Sequence, residues 1–178
     1  TSLVSGVGIF SHIPFVESTA DYYNGSKDHM VDFDTMNTET KRRTVNFPLL
    51  NAVFKKGDSI FKICTTHFTW TPDGQADDFQ REDIKKLFTV LDMCGEFVLC
   101  GDFNAPRGGE IFAQIATRYH DNVPRQYITS LDRTLHRAGH LDRMVDGIFT
   151  TPSYTVSDVR LICGVSDHCA LVGKVKSI

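Results

Sequence analysis

Residues 96–103 constrain this chain more than any other stretch. Phe97-Val98-Leu99-Cys100 is an unbroken apolar run, and a short run of that kind between polar neighbours reads as a strand covered on both faces. Such a strand needs cover above it and below it. The chain can supply that cover: 178 residues with a hydrophobic share of 41% suffice for one domain with a buried core and are too few for two.

The remaining sequence offers partners for that strand. Residues 7–10 form a short apolar run ending at Ser11-His12-Ile13-Pro14, which predicts a buried strand and then a turn, because proline cannot donate to a ladder. Residues 17–39 are polar and lack sustained periodicity, which predicts a long surface excursion. Residues 43–54 and 59–68 are strand-like and flank Lys55-Lys56-Gly57-Asp58, whose Gly-Asp pair supplies hairpin turn chemistry. Within residues 75–93, Phe79, Ile84, Leu87, Phe88 and Leu91 recur at mixed three- and four-residue intervals between charged side chains, the pattern of an amphipathic helix. Gly108-Gly109 precedes a shorter helix at 110–119, and residues 143–150, 156–163 and 169–175 read as three closing strands. The order predicts an α+β fold with polar residues gathered in loops at strand ends.

Charge and composition narrow the functional classes. A net charge of −3 and a pI near 6.1 provide no overall basic field for gripping a duplex, so an anionic substrate must be attracted by a bound cation and local Arg or Lys. No segment approaches the roughly 20 apolar residues that span a bilayer. Residues 1–10 show neither a basic n-region nor a long apolar h-region, so the expected location is the cytoplasm. Cys64, Cys94, Cys100, Cys163 and Cys169 are odd in number and lack CxxC spacing, and are expected to be core thiols.

Four polar clusters stand at the ends of the apolar runs: Thr66-His67-Phe68, Gly101-Asp102-Phe103-Asn104, Val145-Asp146-Gly147-Ile148-Phe149 and Ser166-Asp167-His168. Any one of them could serve only a local turn, since Asp and Asn after a strand commonly bond backbone amides. Together they hold the carboxylates of Asp102, Asp146 and Asp167, the imidazoles of His67 and His168 and the amide of Asn104. That inventory can bind a divalent cation, activate water and stabilise a phosphorane-like transition state.

In order and spacing the clusters resemble the endonuclease/exonuclease/phosphatase superfamily of metal-dependent phosphoesterases. Its members show a strand ending in T-H-L, a helix, a strand ending in G-D-F-N, a strand of the I-D-Y-I-F type and S-D-H before the last strand, and the match here extends from Gly6 onward. The resemblance implies a two-sheet β-sandwich flanked by helices in a four-layer α/β/β/α, DNase-like arrangement. It also implies Mg²⁺ or Mn²⁺ as cofactor and a phosphate-ester substrate, nucleic acid included.

Residue by residue, the resemblance makes Asp102 the group that orients or deprotonates the attacking water and Asn104 a donor to a non-bridging phosphate oxygen. His168 would donate to the phosphate, Asp146 would hold the His168 imidazole, and His67 would be a further phosphate-facing histidine. Asp167 and Asp102 would be metal ligands. Asp142 also precedes an arginine and an apolar run, but residues 145–152 copy the commoner family pattern, so Asp146 is preferred as the partner of His168. Arg107 is left between a phosphate contact and a turn cap, and Lys41-Arg42-Arg43 between a backbone grip and a solvated charge run.

The sequence also departs from the family. The asparagine-bearing strand and the metal-binding glutamate that open the family domain have no counterpart, and His12 stands where the family has arginine after its serine. The expectation is therefore a single domain over 1–178 that lacks the leading strand or strands, with weak metal binding and little activity in isolation. A nuclease or other phosphodiesterase is preferred, with Phe68, Trp70, Arg118 and Tyr119 as candidate nucleotide contacts. A phosphomonoesterase acting on inositol phosphates or lipids, and a catalytically silent binding module, are the alternatives.

Overall fold

A computed structural model describes residues 6–28 and 44–178. Its strands are β1 (Phe15–Asn24), β2 (Phe47–Lys56), β3 (Ser59–His67), β4 (Val98–Asp102), β5 (His120–Asp121), β6 (Asp146–Thr150), β7 (Tyr154–Ile162) and β8 (Ala170–Ser177). Helix α1 (Asp78–Asp92) lies between β3 and β4, and α2 (Glu110–Arg118) between β4 and β5. The first six strands form one sheet in the order β1-β2-β3-β4-β6-β5, and β7 pairs with β8 in a second. Only β3 and β4 are parallel within the large sheet, as the helical crossover between them requires.

Side-chain alternation builds the layers. Cys64, Leu99 and Phe149 point to one face of the large sheet, where they pack with Ile84, Leu87 and Leu91 of α1 and Ile111, Phe112 and Ile115 of α2. Their sequence neighbours Ile63, Val98, Cys100 and Ile148 point to the other face and meet Tyr154, Val156, Leu171 and Val175 of the second sheet. The strand at 96–103 is thus covered on both sides, as its composition predicts, and the two-sheet, helix-flanked architecture is the one the chain adopts. Helix α1 starts where Asp77 accepts a hydrogen bond from the Gln80 backbone N–H at 3.0 Å, satisfying one of its orphan donors. No helix among the described residues is long and apolar enough to cross a membrane.

The expected elements from residue 43 onward are present, with ends shifted by a few residues. Two expectations before it fail. Residues 7–10 are not a strand: no ladder partner meets them among the described residues, and Phe10 is 97% exposed. The strand is instead β1, running through polar residues expected to be a surface excursion. Main-chain pairing with β2 holds it at the sheet edge, where side chains exposed on both faces are free to be polar. The rest of that excursion, 29–39, and Lys41-Arg42-Arg43 lie outside the described residues.

The cysteines need a correction as well. Cys64 and Cys94 are buried thiols and Cys100 is partly buried, but Cys163 and Cys169 form a disulfide. They flank a tight turn between β7 and β8, which brings their Cα atoms to 4.2 Å, so proximity imposed by the hairpin outweighs their burial preference.

Candidate active site

Strand register creates the site. His67 pairs with Asp102 across the parallel β3–β4 ladder, and Asp102 pairs with Asp146 across the antiparallel β4–β6 ladder, so three chemistry-bearing residues stand in one row. Directly opposed residues present their side chains to the same face. Here that is the face carrying Val98, Cys100 and Ile148, so the row sits at the mouth between the two sheets. Gly101 lets the strands approach: a Cβ built there would lie 2.1 Å from the Thr66 carbonyl oxygen.

Asp102 is central to the row. One of its oxygens accepts the Asn104 backbone N–H at 2.8 Å, and the other lies 3.5 Å from Nε2 of His67. Burial and the neighbouring Asp146 carboxylate raise its pKa, opposed by His67, the Asn104 amide and His168. Asn104 adopts a positive φ of 48°, a conformation that favours Asn among non-glycine residues. Its side-chain Nδ2 donates to the Phe68 carbonyl at 2.8 Å, using one of two hydrogens, and the other has no acceptor among the described residues. Gln80, buried on α1, donates to the carbonyls of Thr69 at 2.6 Å and Asn104 at 3.2 Å, locking the loops after β3 and β4 to the helix.

His168 arrives from the β7–β8 turn. Its Nδ1 lies 2.7 Å from Oδ2 of Asp146, which directs a proton to Nδ1. That hydrogen bond, with added attraction from Asp146, Asp102 and Asp167, outweighs partial burial and raises the imidazole pKa to about 9. Asp142 does not compete for His168, because its carboxylate pairs with Arg133 at 3.2 Å and lies 3.3 Å from His140. Asp167 is exposed and its carbonyl accepts the Asp132 N–H at 2.9 Å.

A loop with no recognised motif ties these pieces together. Ser130 Oγ accepts the backbone N–H groups of Val145 and Asp146, each at 3.1 Å, while its carbonyl accepts the Cys169 N–H at 2.8 Å. Asp132 is buried, and its carboxylate accepts N–H groups from Thr134 at 2.8 Å, Leu135 at 2.9 Å and Gly164 at 2.6 Å. The amides of Leu135, Gly164 and Thr134 hold that carboxyl below the usual range. Leu131 bridges to His168. Only the polar spacing of Ser130 and Asp132 before the Asp146 strand hinted at this in the sequence.

The other candidates divide. Arg107 is engaged by the chain itself: it pairs with Asp121 at 2.9 Å and donates to the carbonyls of Val123, Pro124 and Tyr127. Phe68 is core, and Arg118 stacks over Phe88 and pairs with Asp92, while Tyr119 packs against Phe88 and Phe97. Trp70 is 45% exposed, three residues after His67. A polar cavity of about 470 Å³ lined by Gln80, Arg81, Ala105, Pro106 and Arg143 lies beyond Asn104 and takes no lining from the carboxylate–imidazole group.

Asp102, Asp146 and His168 offer ligand atoms within 4.8 Å of one another. Two carboxylates held that close repel, which adds to the effect of burial on the Asp102 pKa, and a hard cation that prefers oxygen ligands would relieve the repulsion. The residues present therefore fit a divalent metal.

Comparison with known proteins agrees with the fold. Among solved structures, an endonuclease/exonuclease/phosphatase from Bacteroides vulgatus superposes with a TM-score of 0.65 at 18% identity, covering 93% of this chain, which spans 66% of that one. A mannosyl-6-phosphatase from Bacteroides thetaiotaomicron gives 0.62 at 14% identity, covering 92% of this chain and 67% of its own. TDP2 from D. rerio, solved with a single-strand DNA product, gives 0.60 at 17% identity over 93% of this chain and 69% of its own. At such identities these likenesses show the fold alone. No curated protein matches the chain. The family model for the Endonuclease/Exonuclease/phosphatase family, however, matches residues 2–168, and the chain belongs to that family.

Proposed function

We propose that the protein hydrolyses phosphate esters, with a phosphodiester such as that of a nucleic acid as the preferred substrate. The observation that carries this is the meeting of Asp102, Asp146 and His168 within 4.8 Å at the mouth between the sheets. Asp102 accepts the proton of the attacking water, a task that its burial-raised basicity suits. The unused Nδ2 hydrogen of Asn104 donates to a non-bridging phosphate oxygen. His168, held by Asp146 through Nδ1, turns its Nε2–H toward the oxygen that gains charge. His67 lies beside Asp102 on the exposed edge of the row and contacts the same phosphate. A divalent cation, Mg²⁺ or Mn²⁺, held at Asp102 and the neighbouring Asp146 would supply positive charge against the phosphate oxygens, and the exposed Asp167, the other ligand expected from the sequence, stands outside that group. Trp70, exposed three residues after His67, is the side chain available for base stacking. The Cys163–Cys169 disulfide supports an oxidising compartment rather than the cytoplasm.

The test is a panel of single-stranded DNA, abasic DNA, RNA, a chromogenic diester and phosphomonoesters, with Mg²⁺ or Mn²⁺, using the protein at its natural length. Asp102→Ala should lower the rate on the preferred substrate about a thousandfold, and activity surviving that change would overturn the assignment. Hydrolysis confined to monoesters would replace the diester reading. A thermal midpoint unmoved by either cation, with no hydrolysis, would favour a silent binding module.

A further inference from the structure

A third histidine stands at this site. His136 is half-buried in the loop before β6, and its ring lies 6.2 Å from that of His168, centroid to centroid, at an interplanar angle of 65°. Its position is built rather than incidental. The Asp132 carbonyl accepts the His136 N–H at 2.9 Å and the His136 carbonyl accepts the Gly139 N–H at 2.8 Å, closing the turn on both sides. Asp132 caps the same turn through Thr134 and Leu135, and fastens it to the His168 loop through Gly164 and Asp167. One ring nitrogen is engaged as well. Nδ1 of His136 accepts the Ala138 N–H at 3.3 Å, so in the neutral ring the proton is on Nε2, and that N–H has no acceptor among the described residues.

We infer that His136 is a substrate-binding residue whose Nε2–H donates to an oxygen of the phosphate ester bound by His168. The inference rests on the phosphoesterase reading above and adds a contact to it. The spacing suits the role, since hydrogen bonds of about 2.8 Å to two different oxygens of one phosphate bridge nitrogens roughly 5–8 Å apart, a range that rings 6.2 Å apart can meet. A ring that merely packed against His168 would need no free donor. The anchoring of its turn to the His168 loop makes the two imidazoles a single unit that meets the anion together.

Two substitutions separate donor from packing. His136→Phe keeps a ring beside His168 and removes the donor, while His136→Gln removes the ring and keeps an N–H near the Nε2 position. With inorganic phosphate as calorimetric probe and bis(4-nitrophenyl) phosphate as substrate, His136→Phe should raise both Kd and KM about tenfold or more. The rate constant kcat should change by less than about threefold, and His136→Gln should stay within about threefold of wild type on all three measures. Wild-type Kd and KM in the Phe variant, or a Gln variant as impaired as Phe, would overturn the inference. A measurement on the unsubstituted protein guards against misfolding of either variant: titration with phosphate should shift the ¹⁵N resonance of His136 Nε2. Phosphate that binds and leaves this resonance in place sinks the inference while the phosphoesterase reading stands. If the unsubstituted protein neither binds phosphate nor cleaves any ester of the panel, that reading has failed, and the inference with it.

Discussion

His67, Asp102 and Asp146 reach the site on three hydrogen-bonded strands, whereas His168, Ser130, Asp132 and His136 reach it on two loops at the edge of the small second sheet. In the strand-borne half, backbone ladders fix the positions, and a dense core of Leu99, Phe103 and Phe149 backs them. A one-residue slip there would turn every functional side chain to the opposite face. In the loop-borne half, position depends on a few polar contacts and one covalent bond: the Ser130 hydroxyl, the Asp132 carboxylate and the Cys163–Cys169 disulfide. The difference teaches that damage to the first half should appear as lost stability, and damage to the second as lost activity in a protein still largely folded.

Gly101→Val strikes the first half hardest. Its new side chain meets the Thr66 carbonyl, and chemical denaturation should show a loss of about 3 kcal/mol or more. A variant as stable as wild type would mean that the close β3–β4 approach does not matter. Cys163→Ser tests the second half. Removing a disulfide that closes so short a loop should cost about 2 kcal/mol, with a fall in phosphoesterase rate that exceeds the effect of any equally destabilising core substitution. Asp132→Asn keeps the size of the side chain but opposes an amide to the Gly164 N–H. It should cost about 1 kcal/mol and move ¹H–¹⁵N resonances of residues 163–169 while those of β4 remain.

The last test varies pH. His168 has a folded pKa of about 9, above the unfolded value of about 6.5. Its protonated form therefore adds stability that is fully present below about pH 6.5 and lost as pH rises through about 9. In chelator, the stability gap between wild type and His168→Ala should narrow over that window. A gap independent of pH would show that Asp146 does not hold a protonated ring.

How far the sequence foretold this follows the same division. The strand-end residues were legible because an apolar run followed at once by Asp, Asn or His records both the element and its end, and their order is a family pattern. Asp146 could be preferred over Asp142 on pattern, and the pairing with His168 at 2.7 Å is consistent with that preference. The loop holding Ser130, Asp132 and His136 has no periodicity, and its contacts run from side chains to distant backbone amides, which no local pattern encodes. Strand β1 was hidden by its polar composition, since its ladder depends on a partner more than twenty residues later in the chain. The disulfide was hidden because pairing cannot be deduced from cysteine spacing alone.

The ring closed by Cys163 and Cys169 encloses Gly164-Val165-Ser166-Asp167-His168, so a proteolytic nick anywhere among those residues releases neither fragment. Arg160 and Lys174 are the nearest basic residues on either side, and both cysteines therefore fall within one tryptic peptide. The oxidation state of the turn that carries His168 can thus be weighed directly, as the mass of two hydrogens on a single peptide.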